Sequence, residues 1–420
     1  MFKSTSTKII FQRGLTMHAT TRAILEYNAG RDPPRLSRKY EAMRADPFTF
    51  FRGTAPLFFE TLKMPPNLQD APKVIACGDL HLENFGSYKG DNRLVYFDIS
   101  DFDEACVAPL THDVVRFLSS VLVASAYLKI GNKRAQSLIV EFADTYAATI
   151  ATAKPRWLER ATATGPVRAL LRSVKNRHRR DLIARRTEIR NGKTKLIIDN
   201  EKTLIISKKD RKAAKVILAA YASTQAHPPH FAPLDIAVRI AGVGSLGLER
   251  YVALVRGDGT VDGRYLVDIK FANPSALAAT LSIEQPVWKS DADRAVSLQT
   301  VSQAIAPDLL GAVCVDAQSY LIRELQPTAD RVNLPALDGN KQMLGNAIRS
   351  MAEVIAWAHL RGCARFGSDG VEVLTAYVQG SAWKDMLNDA AWDAAILAVQ
   401  QWQEYAVDFD ASDDAFADTM

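Results

Sequence analysis

At 420 residues, 48% of them apolar, the chain is long enough to bury a large core and suits two lobes or one large domain with additions. Its 52 Lys and Arg against 47 Asp and Glu leave a formal charge of +5, compatible with an anionic substrate and too slight to call for nucleic acid as a partner. Cys77, Cys106, Cys314 and Cys363 are too scattered for a disulfide framework or a zinc knuckle, and with no run of about 18 apolar residues to span a membrane, a cytoplasmic location is expected.

Residues 1–16 are basic and hydroxyl-rich, lack the apolar run of a secretory signal, and are expected to form a flexible tail. Two helices are expected around 20–25 and 38–43, parted by Asp32, Pro33 and Pro34. Phe48, Phe50, Phe51, Phe58 and Phe59 then crowd into a dozen positions and read as core. Arg52 stands among them beside Gly53; its planar fork suits a phosphate, or equally a carboxylate at the core's edge.

The chemistry concentrates in two short stretches. An apolar run through Ile75 and Ala76 delivers a loop with Asp79, His81 and Asn84, and a second run over 94–97 delivers Asp98, Asp101, Asp103 and Glu104. Two strand ends of this kind aim acid groups into one place. Asp79 offers a proton acceptor; Asn84 with Asp101, or with Asp98 in its stead, offers the oxygen ligands that Mg²⁺ prefers. This is equipment for phosphoryl transfer, where positioning and charge neutralisation do most of the catalysis. The plainer alternative is a turn whose polar side chains bond their own backbone.

Downstream, Asp113 is a candidate N-cap for an apolar helix through Val123, and the lone pair His112 and Asp113 is a weak sign of a metal-dependent phosphohydrolase. Helices are expected over 135–150, over a very basic stretch at 168–186 that reads first as a solvated face, and over 210–222. Asn191 and Gly192 mark a hairpin within 187–207, and His227, Pro228 and Pro229 a linker. Then come a β-rich run, a turn with Gly242, Gly244, Ser245 and Gly247 whose backbone can approach phosphates, a second β-run over 251–255, and a strand over 265–271 bearing Lys270. The order excludes a Rossmann reading, which needs a helix at the glycine turn. A helix over 291–305, strands at 312–315 and 319–325, a hinge at Gln326 and Pro327, a helix over 340–362, and helices carrying Trp383, Trp392 and Trp402 before an acidic tail complete the chain.

Gly78, Asp79, Leu80 and His81 with Asn84 resemble the catalytic loop of aminoglycoside- and choline-type kinases, and 101–105 with Pro109 and Asp113 is similar to their metal-binding segment. Together with 50–54 (Phe-Phe-Arg-Gly-Thr), these pieces more closely resemble the bacterial domain-of-unknown-function family 2252. The resemblance implies an α+β, two-lobed protein-kinase-like fold in circularly permuted order: large-lobe elements at 17–225, a β-rich nucleotide-binding lobe at 230–327, and helices at 328–420 completing the large lobe. It implies ATP and Mg²⁺ as cofactors and an unidentified hydroxyl-bearing acceptor. Gly242, Gly244, Ser245, Gly247, Lys270 and Arg52 would bind nucleotide, Asn84 and Asp101 or Asp98 the metal, with Asp79 as base and His81 ordering the loop. Asp113 would brace the catalytic loop, and Lys270 would pair with Glu284 or Gln299. The alternatives are a non-catalytic, pseudokinase-like nucleotide-binding protein and transfer of AMP to protein.

Overall fold

The computed structural model describes residues 17–175, 177–326, 330–337 and 340–411 and has a mixed α+β architecture. The tail expected at 1–16, Pro327 of the expected hinge and the acidic end beyond 411 lie outside the described residues.

Helices α1 (Ala19–Asn28) and α2 (Pro33–Ala45) part at the Asp-Pro-Pro run, which starts a helix as much as it stops one. Asp32 accepts a hydrogen bond from the Arg35 N–H, and Pro33 takes the first helical position, where its missing N–H costs nothing. The phenylalanine-rich stretch folds into α3 (Pro47–Gly53) and α4 (Ala55–Thr61), followed by the short α5 (Pro66–Gln69). Strand β1 (Lys73–Ala76) pairs antiparallel with β4 (Cys106–Pro109); between them β2 (Phe85–Lys89) and β3 (Val95–Ile99) form a hairpin that β5 (Leu158–Glu159) extends. Helix α6 (Leu110–Val123) follows β4 at once and is buried over its whole length, Asp113 and Arg116 included. A helix with no wet face runs through a core. Here that core is helical, with α7 (Asn132–Ala151) beside α6.

The basic stretch expected as one helix is two, α8 (Gly165–Val174) and α9 (Arg179–Arg186), because His178 and Asp181 form a capping box that starts a new helix. The hairpin of β6 (Thr187–Arg190) and β7 (Lys193–Leu196) turns at Asn191 and Gly192 with φ of 50° and 71°, the two left-handed positions that a two-residue turn needs.

Strands β8 (Thr203–Leu204), β9 (Pro233–Arg239), β10 (Arg250–Val255), β11 (Tyr265–Phe271), β12 (Gly311–Val315) and β13 (Gln318–Glu324) form one antiparallel sheet in the order β12-β13-β11-β10-β9-β8. Successive side chains on a strand face opposite ways. Val267 and Ile269 of β11, with Tyr251 and Ala253 of β10, pack under α10 (Lys208–Ala222), which belongs to the sheet's core although it precedes the Pro-rich connection. The intervening positions turn the other face over to charge: Arg250, Asp268, Lys270 and Arg323, with Arg239 closing β9. Helices α11 (Ala276–Thr280) and α12 (Asp291–Ser302) follow β11, and α12 lies against β12 and β13. Helices α13 (Lys341–Gly362), α14 (Val371–Gln379) and α15 (Ala382–Ala411) complete the helical body, α13 against α7 and α15 against α6. The charged face of the sheet looks across a cleft at the loops after β1 and β3.

Candidate functional site

The cleft has a cavity volume of about 250 Å³ and draws its walls from both halves of the chain. From the helical body come Arg52, Asp79, His81, Asn84, Asp101, Asp103 and Glu104; from the sheet come Arg239, Arg250, Lys270 and Arg323, with Gly242, Gly244 and Ser245 from the turn between β9 and β10.

The loop after β1 is held from beneath. Both Asp113 oxygens accept backbone N–H bonds, one from Cys77 at 2.7 Å and one from Gly78 at 2.8 Å, and His359 Nε2 lies 3.2 Å from the same carboxylate. Asp113 therefore does not cap its own helix; it sits four residues in and braces the loop. Gly78 has φ +87°, and a Cβ there would stand 2.4 Å from the Glu104 carbonyl oxygen, so the two acidic loops touch at a point that only glycine fits.

Asp79 takes two hydrogen bonds on Oδ1 from Arg116, at 2.8 and 3.0 Å, and among the described residues Oδ2 receives none. The Arg116 guanidinium is fully buried, 3.5 Å from the Phe51 ring centroid and 4.4 Å from that of Phe58. Aromatic faces of this kind stabilise a desolvated cation. Burial raises the Asp79 pKa and Arg116 draws it back, so the carboxylate is a stronger base than an exposed Asp. His81 is held well below its usual pKa, first by burial and then by Arg52 and Arg116, and as a neutral ring accepts the Glu83 N–H on Nδ1 at 3.1 Å. It orders the loop. Asn84 Nδ2 donates to the Asp79 carbonyl, which fixes the amide and leaves Oδ1 for the cleft.

Lys270 crosses the cleft. Its ammonium is buried, 3.5 Å from Asp101 and in direct contact with Asp103. Burial alone would raise Asp101, but Lys270, followed by Arg323 and Arg250, outweighs it and holds the carboxyl well below the usual range. Asp103 is raised, first by burial and then by Asp101. The acidic loop, and neither Glu284 nor Gln299, is thus the partner of Lys270: Glu284 is exposed and Gln299 bonds to Gln303. Helix α12 instead contributes the buried Arg294, which donates to the carbonyls of Asp103, Ala105 and Asn273 and so fixes the second acidic loop by its backbone.

Two expected site residues stand apart from the cavity. Asp98 turns away, accepting from its neighbour Ile99 N–H at 2.9 Å and facing Arg361 at 3.8 Å. Gly247 has φ +87° and lies where a Cβ would press on Arg31 Cβ at 2.8 Å, so it packs the turn onto the helical body. Arg31 donates to Gly244 O and Arg35 to Leu248 O, pinning that turn further. Arg52 lines the cavity while paired with Glu83 at 2.8 Å, which is the carboxylate alternative of its two expected roles.

Glu104 also faces the cavity. Burial, supplemented by Asp79, pushes its pKa up to about 7. The folded chain therefore holds this proton more tightly than the unfolded chain, whose Glu titrates near 4.5, and stability falls as pH rises from about 4.5 to 7. Glu104→Gln is expected to flatten that part of a melting-temperature profile, since the amide still accepts from the Ala276 N–H. An unchanged profile would remove Glu104 from the titration.

A profile of uncharacterised proteins conserved in bacteria, DUF2252, matches residues 31–408. The chain belongs to the DUF2252 family. Every residue of the cleft named above falls within the span that aligns with DUF2252. No curated protein and no solved structure matches the chain. For this DUF2252 member the site must be read from its own geometry. Arg116, Arg239, Arg250 and Arg323 were not singled out from sequence, although each left a signal: a charge within the apolar run of a helix, or a charge at an inward strand position.

Proposed function

We propose that the cleft binds Mg²⁺ and ATP and transfers a phosphoryl group to a hydroxyl-bearing acceptor, on a two-lobed kinase-like plan with permuted chain order. The observation that carries this reading is the burial of Lys270 against Asp101 and Asp103 in the same cavity as Asp79 and Asn84, two regions nearly 200 residues apart brought onto one site. A lysine that neutralises phosphate, oxygen donors for a hard cation and a base make up the constellation that phosphoryl transfer uses.

Along one face of β11, Leu266, Asp268 and Lys270 succeed each other at roughly 7 Å steps. Leu266 lies with Val252 and Leu325 at an apolar end suited to a base, and Lys270 at the acidic end suited to a phosphate chain. Asn84 Oδ1 and the ionised Asp101 fit Mg²⁺, which takes one or two protein oxygens and fills its remaining positions with phosphate and water; bound there, the ion would neutralise charge on the transferring group. Asp79 Oδ2 would accept the acceptor's proton. The permutation is supported by the end of α13: a Cβ on Gly362 would meet Ile75 at 3.1 Å, and Asp369 in the connection after it exchanges hydrogen bonds with Lys73, so the end of α13 abuts the strand that leads to Asp79.

A non-catalytic nucleotide-binding role is the second reading, favoured by the pairing of Asp79 with Arg116, which occupies one oxygen of the base. The experiment is incubation with Mg²⁺ and ATP labelled at either the γ- or the α-phosphate, with a cell extract as acceptor source. Label transferred from γ supports phosphoryl transfer. Label from α assigns AMP transfer, and binding without transfer of either label assigns the non-catalytic role.

A further inference from the structure

Asp268 is completely buried, and three guanidinium groups surround it. Arg250 forms a two-pronged pair with it, at 3.0 and 2.7 Å. Arg239 Nη1 also pairs with it at 2.5 Å, and Arg323 Nε approaches it at 3.6 Å. Arg250 spends a further N–H on the Ala241 carbonyl and Arg323 one on Ser100, whereas Asp268 is the only polar contact of the Arg239 side chain among the described residues. Asp101 and Asp103, the next carboxylates along the cleft, are engaged by Lys270. Arg239, Arg250, Arg323 and Lys270 thus face three carboxylates, Asp268, Asp101 and Asp103, a surplus of one positive charge, and it falls on the arginine side, where three cations surround one buried acid. Desolvating an uncompensated charge is costly, so such a cluster calls for an anion from outside. All three arginines line the cavity and Asp268 does not. Arg239 is held down to about 9, first by burial and then, against the pull of Asp268, by Arg250 and Arg323.

We propose that Arg239, Arg250 and Arg323 form a phosphate-binding subsite on the sheet, separate from Lys270 and the acidic loop, with Asp268 as the buried counter-charge that holds the three forks in place. Planar guanidinium forks match phosphate oxygens in pairs, which a lysine cannot do. The inference rests on the nucleotide reading only for the molecule that brings the phosphate. That molecule is either the nucleotide or a phosphorylated acceptor.

The probe is inorganic pyrophosphate without metal, titrated calorimetrically and by melting temperature against NaCl of equal ionic strength, on wild type, Arg239→Gln and Arg323→Lys. The wild type is expected to bind and to melt about 1–2 °C higher near tenfold saturation. Arg239→Gln and Arg323→Lys are each expected to weaken binding about tenfold, the second by losing the fork while keeping the charge. In anion-free buffer, Arg239→Gln is expected to melt no lower than wild type, because it relieves the surplus charge; this readout also establishes that the variant folds. ATP then separates the sources: a parallel loss of ATP affinity in Arg239→Gln assigns the phosphate to the nucleotide, and unchanged ATP affinity with simultaneous pyrophosphate binding assigns it to the acceptor. Arginine-dependent pyrophosphate binding with no ATP binding at all would end the nucleotide reading and leave the subsite standing. The absence of pyrophosphate binding, or equal binding by wild type, Arg239→Gln and Arg323→Lys, would overturn it.

Discussion

Asp79→Asn is expected to lower turnover roughly 10²- to 10⁴-fold while ATP affinity stays within about twofold, because a positioned base contributes on that scale and its loss is confined to the reacting centre. Two features make the substitution informative. The Arg116 bonds both fall on Oδ1, which an asparagine carbonyl supplies equally, so the buried guanidinium keeps its acceptor and its place between Phe51 and Phe58. Only Oδ2, the atom facing the cleft, changes from acceptor to donor. Asp79→Ala would confuse the two effects, since a buried arginine left without its partner destabilises a fold by about 3–5 kcal/mol. Single-turnover rates with γ-labelled ATP, alongside a binding isotherm, separate them; turnover at the wild-type rate would exclude Asp79 as the base.

The largest loss of stability is expected from Asp113→Ala, about 3–5 kcal/mol by urea denaturation. The change strips acceptors from the Cys77 and Gly78 N–H groups, both buried, and a partner from His359. Each orphaned buried donor costs about 1–3 kcal/mol. Because those N–H groups set the path of the backbone into Asp79, the loop is expected to lose its geometry with its stability. Asp113→Asn restores one acceptor and should recover part of the loss. A penalty under 1 kcal/mol for Asp113→Ala would show that the loop holds its path without the brace.

What could be read from the chain followed the range of each interaction. The turn at Asn191 and Gly192, the strand bearing Lys270 and the helix ending near Gly362 depend on neighbours a few positions away, and their signatures are local. The break between α8 and α9 was also local, yet the run of Arg and Lys masked the His178 and Asp181 capping box. The acid-bearing loops were legible as motifs. Their partners were legible only in part: by position alone Asp113 reads as an N-cap of its own helix, whereas the family resemblance implied the brace, and the pairing of β1 with β4 brings the Cys77 and Gly78 amides within its reach. Asp98 and Asp101 could not be told apart because they lie three residues apart at the end of one strand, and the register of β3 turns the first away. The arginines around Asp268 occupy inward positions on β9, β10 and β13, a pattern that has meaning only once the strand order is known.

The most direct test is calorimetric titration of ATP with Mg²⁺ into wild type, Lys270→Ala and Asp101→Ala. Saturable, magnesium-dependent binding by the wild type, weakened at least tenfold by each substitution, is the expected result. Undiminished binding by both variants would place any nucleotide site away from the cleft between the sheet and the acidic loops, and with it the chemistry proposed for that cleft.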